Sequence, residues 1–279
     1  MSDIKIYVCC HKPFQVPKCN ILVPMQVGSA LDVNHYDGYV YDDTGINISD
    51  KNKSYCELTA LYWMWKNASH DYYGLYHYRR YLYPDLNEKL PYTISKKNGP
   101  DVLKKLGYDS FPEFISNYDL VMPKGEDMHV SVRDHYRKAP FHHIEDLQLL
   151  EKIIDEDYPE YSKAKDEYFS QSKIYFGNIS IMKKEVFMDY CEFLFSVLEK
   201  FDSMAKTDSY NEQEKRVDGY LGERLLGIYY TKRKNELKTV ELPRVHFSSG
   251  SSYYKQKALN TILPPGSEVR AKFKKIKTN

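Results

Sequence analysis

An α/β fold is the class this sequence predicts, and three observations carry the prediction. Runs with strand-like alternation take turns with runs of helical period along the chain. The 279 residues suffice for one large domain with a substantial core, and nothing forces a second. The first apolar run ends in a polar loop, at the kind of sheet edge where open α/β folds bind ligands.

Taken in order, Ile4, Ile6 and Val8 alternate in IKIYVCCHK, so a first strand should end near Cys10, with His11 and Lys12 in the loop beyond. A loop-rich section follows over 13–53. Ser54 and Glu57 then have capping-box spacing, and Leu58, Leu61, Tyr62 and Trp65 share a face, which predicts a helix over 55–67. YYGLYHYRRYL, 72–82, reads as a strand whose two faces turn basic at the same place: Tyr73, Leu75, His77 and Arg79 on one, Gly74, Tyr76, Tyr78 and Arg80 on the other. YDLVMPK reads as a short buried strand. Leu147, Leu150, Ile153 and Ile154 give a helix opening near Glu145 and Asp146, carboxylates that ordinarily complement a helix dipole. IYFGNISIM is expected to be a strand with Asn178 in its middle, passing into a helix over 184–199. The polar stretch 200–216 reads as a mobile loop, RVDGYLGERLLGIYYTKR as another helix, and 239–242 as a short strand.

Composition removes several function classes. Forty basic residues against 39 acidic ones argue against a duplex-DNA binder, so any arginine cluster must act locally. Five cysteines without C-x-x-C spacing read as reduced packing thiols of a cytosolic protein. Asp3 and Lys5 interrupt the first apolar run, so no leader is expected, and no run approaches the roughly 18 apolar residues of a membrane span. Twenty-seven tyrosines suit stacking on sugars or bases. No dinucleotide, Walker, H-E-x-x-H or G-x-S-x-G motif is present.

The residues themselves leave alternatives. The Arg79–Arg80 pair is either a solvated strand exit or a cationic cradle for a diphosphate, whose oxygens match the guanidinium fork. Asn178 either pairs with backbone or reaches an acceptor. Glu223 is either a solvated helix residue or a base facing a cleft. The adjacent His142 and His143 point apart in extended chain and are a weak metal signal. EVRAKFKKIKTN is either a disordered tail or a surface for anionic lipid.

KIYVCCHKP, NISDKNKSYCELTALYWMWKN, GLYHYRRYL, FGNISIMKKEVFMDYCEFLFSVLEK and GYLGERLLGIYY together resemble a bacterial family long classed as a domain of unknown function. Its members are associated with capsular and exopolysaccharide synthesis and are regarded as glycosyltransferases, some as galactofuranosyltransferases. The resemblance implies a GT-A-like fold: one nucleotide-binding domain, taken as 1–263, with a mixed, mostly parallel sheet flanked by helices; composition marks 264–279 as a basic tail. It implies a nucleotide-sugar donor, with UDP-galactofuranose the first to try, and a glycan or lipid-linked saccharide acceptor at the inner membrane face. Nucleic acid is not an expected partner; a noncatalytic carbohydrate-binding protein is the alternative. Where most GT-A enzymes place Asp-x-Asp to hold Mn or Mg, this chain has His77, Tyr78, Arg79 and Arg80, so metal-independent transfer is expected. The implied donor pocket takes in these four with Cys10, His11, Lys12, Asp42, Asp43, Asn47, Ser49 and Asn52, and His246 as a further diphosphate contact. For an inverting transfer Glu223 is the first choice of base, with Asp218 and Asp146 in reserve and Asn178 and His143 toward the acceptor.

Overall fold

The computed structural model describes residues 2–96 and 99–271. In chain order these form β1 (Ile4–Cys10), β2 (Leu22–Gln26), β3 (Val40–Tyr41), α1 (Asn52–Tyr55), α2 (Leu58–Asn67), β4 (Tyr72–His77), β5 (Arg80–Leu82) and β6 (Tyr92–Ser95). Then come α3 (Pro100–Lys105), α4 (Phe111–Ile115), β7 (Leu120–Pro123), β8 (Glu126–Asp127), α5 (Val132–Lys138), α6 (Ile144–Asp157) and α7 (Pro159–Ser170). The remainder is β9 (Lys173–Ile174), β10 (Ser180–Lys183), α8 (Lys184–Met204), α9 (Val217–Arg233), β11 (Thr239–Leu242), β12 (Arg244–Phe247) and α10 (Gly250–Ile262).

The main sheet runs β11-β7-β10-β4-β1-β2-β3, with β5, β12 and β6 branching from β4. It is mixed and mostly parallel, with β1 parallel to both β2 and β4 and β10 antiparallel between β4 and β7. Strand alternation splits the core in two. Tyr7 and Cys9 of β1 face a cluster built with α2 and α5 to α9, while Ile6, Val8 and Cys10 face the one built with α3 and α4. This α/β class is the expected one.

Four local expectations are corrected. The section 13–53 contains β2 and β3; Pro24 hides β2 from a sequence reading, because proline is unusual in a paired interior strand. YYGLYHYRRYL is a hairpin: β4 ends at His77, the chain turns through Tyr78 and Arg79, and β5 returns antiparallel with Arg80 opposite His77. The helix expected over 55–67 is broken at Cys56, which has φ 51°, and Ser54 and Glu57 form no capping box. IYFGNISIM is two short strands separated by a loop in which Gly177 and Asn178 have φ 93° and 51°.

The stretch 200–216 is also anchored. It begins inside α8, and the Tyr210 hydroxyl donates to Asp146 at 2.9 Å while its ring stacks on His143. Of the expected basic tail, Arg270 is bonded to the Tyr92 hydroxyl, Asn260 and the Leu263 carbonyl; 272–279 lie outside the described residues. Among the described residues all five cysteines are free, and no helix is long and apolar enough to cross a membrane.

Candidate active site

A cleft of about 500 Å3 opens at the carboxyl ends of β1 and β4. Its cationic wall comes from the hairpin. Because the chain reverses after His77, the side chains of His77, Arg79 and Arg80 all line one space, together with His11 from β1 and Arg216 ahead of α9. Neither Arg79 nor Arg80 has a carboxylate partner among the described residues. Tyr78 is the fully buried floor: His11 and Phe14 meet its ring edge-on, and the Arg79 guanidinium lies 4.9 Å from its centre. The phenol thus supports the cations without facing the cleft.

Burial, then the Arg80, His11 and Arg79 charges, push the His77 imidazole down to about 3. His11 is lowered by burial and by Lys12 and Arg79. His246, expected at the diphosphate, is not among the residues that line the cleft: it pairs with Arg80 in the sheet register, stacks on Tyr92 at 4.1 Å, and is pushed to about 2 by burial and Arg244. The resting site therefore has neutral imidazoles among uncompensated guanidiniums, an arrangement that favours an anion.

The opposite wall is acidic, and a close helix approach makes it. A Cβ on Gly219 would lie 3.0 Å from the Cys56 sulfur, and one on Gly222 would lie 2.7 Å from Leu58. These two glycines let α9 settle onto the start of α2, which sets Glu223, next to Gly222, on the same cleft as Glu57, between Cys56 and Leu58. Glu223 Oε1 accepts the Gly177 N–H at 2.7 Å, and Oε2 lies 3.4 Å from the buried Arg224 guanidinium. Glu57 Oε1 accepts from Asn178 Nδ2 at 3.0 Å, and the same amide reaches the Gly219 carbonyl at 3.2 Å. Burial raises the Glu57 pKa, and the Glu223 charge adds to it. Left-handed Asn178 and the strained Cys56 both sit in this wall, each costing about 1–3 kcal/mol that the surrounding packing must offset.

Glu57 was missed because its spacing from Ser54 mimics a helix cap. The signal that finds it is the glycine pair at three-residue spacing in GYLGERLLG, which marks where another element comes close.

Other expected site residues lie elsewhere. Cys10 faces the far core and is pushed up to about 12 by burial; Cys9, of opposite parity, lines the cleft. Lys12 is exposed, with its ammonium 5.7 Å from the Tyr78 ring. Asp42 is fully buried and accepts from the Gly28 and Ser29 N–H groups and from the Ser49 and Thr59 hydroxyls. It and Ser49 tie the loops together behind the cleft. Asp43 lies 3.3 Å from His35, and Asn47 bonds the Asp43 and Gly45 carbonyls. Asn52 does line the cleft, its amide bonded to Thr59 and the Cys56 carbonyl. Asn178 is buried, with its amide on Glu57 and the Gly219 carbonyl. Asp146 and His143 bind Tyr210 outside the cleft.

Asp218 faces a second, smaller pocket of about 270 Å3 with Asp202, Lys51 and Lys53. Ser54 donates to it, and burial with the Asp202 charge lifts it from 3.8 to about 7. The folded state therefore keeps a proton that the unfolded chain releases, and stability falls as pH rises through about 7. Asp218→Asn should abolish that slope. Thermal melts should show the variant above the parent at about pH 8 and the difference shrinking toward about pH 5.

A family model described as a domain of unknown function, DUF4422, matches residues 5–235. The chain belongs to this family. This DUF4422 chain also matches the apo structure of the bifunctional glycosyltransferase WbbM, with TM-score 0.84 and 36% identity over 88% of this chain. It spans 46% of the WbbM chain. No match was found among curated proteins.

The residues at this strand end do not fit a divalent cation of the kind the GT-A resemblance implies. Guanidiniums stand where acids would be needed, and among the described residues no three His, Cys, Asp or Glu side chains converge to hold a metal ion.

Proposed function

We propose that this protein is a glycosyltransferase that moves a sugar from a nucleotide sugar, UDP-galactofuranose being the first to test, onto a hydroxyl of a growing saccharide, with inversion. One observation carries the reading: two arginines without acid partners face a backbone-anchored carboxylate across a single cleft. The donor diphosphate lies against Arg79, Arg80 and Arg216. Glu223 takes the proton of the acceptor hydroxyl as its oxygen attacks the anomeric carbon from the face opposite the phosphate. As that carbon–oxygen bond forms, the bond to phosphate breaks, and the electron pair leaves with the nucleoside diphosphate. The fixed guanidiniums stabilise the added charge without reorganising, which is where preorganised electrostatics contribute most. Glu57, holding a proton more readily than an ordinary carboxyl, leaves Glu223 as the accepting partner of the pair. The WbbM likeness and family membership support the same class.

A panel of nucleotide sugars, assayed for nucleoside diphosphate release with and without chelator, tests it. Release that depends on acceptor, survives chelation and yields the inverted anomer is expected. Glycan binding with no donor consumed would instead mark a noncatalytic carbohydrate-binding protein.

Proton linkage gives a second check. Burial and then neighbouring cations depress His77 and His11, and a diphosphate beside them counters the second cause, so their pKa values should rise on binding. NMR titration of the two imidazoles should show higher pKa values with UDP bound than without; unshifted or lowered values contradict this placement.

A further inference from the structure

The helix α10 turns its apolar residues away from the body. Only Tyr253 and Asn260, two turns apart, are half-buried, and they mark the side that packs. The opposite side carries Tyr254, Ala258 and Ile262 in one stripe, with Leu259 beside it. Tyr254 is 58% exposed and Ile262 75% exposed, so among the described residues nothing covers the stripe. Lys255 and Lys257 flank it, and Lys96 donates to the Tyr254 hydroxyl at 2.9 Å. Between Glu241 and Glu268 the sequence contains no aspartate or glutamate. Apolar side chains among lysines, on a stretch of chain that carries no acid, suit an anionic bilayer surface. A symmetric pairing of two copies through this face would set its lysines against each other.

We propose that α10 is the surface by which this protein lies on an anionic lipid membrane. Tyr254, Leu259 and Ile262 enter the boundary between headgroups and acyl chains, and Lys96, Lys255 and Lys257 meet the headgroups. The helix follows β12, whose Phe247 N–H donates to the Arg79 carbonyl at 2.8 Å, so the cationic rim of the cleft is tied to the docked element. This deepens the transferase reading and rests on it only for what the membrane carries, a saccharide on a lipid.

Flotation of the full chain with phosphatidylcholine vesicles, with and without phosphatidylglycerol, tests the proposal in the absence of any sugar donor, so its outcome is independent of catalysis. Binding to the phosphatidylglycerol vesicles that weakens with salt is expected. Lys255→Glu with Lys257→Glu, and separately Leu259→Asp with Ile262→Asp, should each weaken it by about tenfold or more. These side chains are exposed, so melting temperature and UDP affinity should stay at parental values. Parental flotation by both double variants, flotation lost only when 272–279 are removed, no flotation with either vesicle, or a lipid-free dimer abolished by the same variants would each overturn it.

Discussion

Arg80→Ala should slow sugar transfer by about 10²–10³-fold, the usual loss when one preorganised stabiliser of developing charge is removed. Arg79→Ala should follow the same direction, and the double variant should lose donor affinity as well as turnover. The case rests on what the arginines lack. A guanidinium bonded to a carboxylate would contribute to the fold, and its removal would leave a charge unpaired. These two have no such partner, and each is surrounded by the other cation and by histidines that burial and positive charge keep neutral. Removing one therefore relieves repulsion, so the melting temperature should hold or rise while activity falls. His77 should respond too, because Arg80 is its largest charged perturber; its titration, followed by NMR, should move upward from about 3 in Arg80→Ala. Arg80→Lys should recover charge but not the two-pronged fit, and activity between parent and alanine variant is expected. Unchanged donor affinity and turnover in both single alanine variants would refute the phosphate cradle.

For Glu223→Gln, turnover should drop about 10²–10⁴-fold, the range for loss of a general base, with UDP affinity unchanged. The substitution is nearly isosteric. A glutamine oxygen can still accept the Gly177 N–H, so that contact survives, while the buried Arg224 loses its carboxylate and the melting temperature should fall along with turnover. Glu57→Gln should do less, since it alters the neighbour and leaves the accepting atom in place. A glutamine oxygen at 57 can still accept from the Asn178 amide, so the loop that carries Gly177 keeps its place. Parental turnover in Glu223→Gln would move the base elsewhere.

Much of this architecture was legible because it follows from periodicity. The alternation Ile4, Ile6, Val8 does make the central strand, and Leu221 with Leu225 does make the buried face of α9. What escaped depends on contacts between distant segments. Parity placed Cys10 correctly in β1, but which face would meet the cleft is decided by helices far along the chain, and they select Cys9 and His11. Asp42 looks like a loop acid available for ligand; only the folded chain shows four donors converging on it. Asn178 looked anomalous in a strand, and it is anomalous because there is no strand there: a left-handed turn aims its amide at Glu57. The arginine pair was found for a sound chemical reason through an incorrect geometry, since a hairpin and not a strand exit gathers it.

The glycine contacts between α9 and the junction of α1 with α2 have a further consequence for how this scaffold can change. With no side-chain cushion at Gly219 and Gly222, the two helices have no slack to slide or spread, and the spacing of the acid pair is locked in. Variation in what the cleft accepts is then expected on the loops that complete its lining, which contribute Val27, Lys53 and Glu212. Directed evolution of substrate choice should accordingly enrich changes around 27–53 and 205–216 and leave the helix crossing untouched.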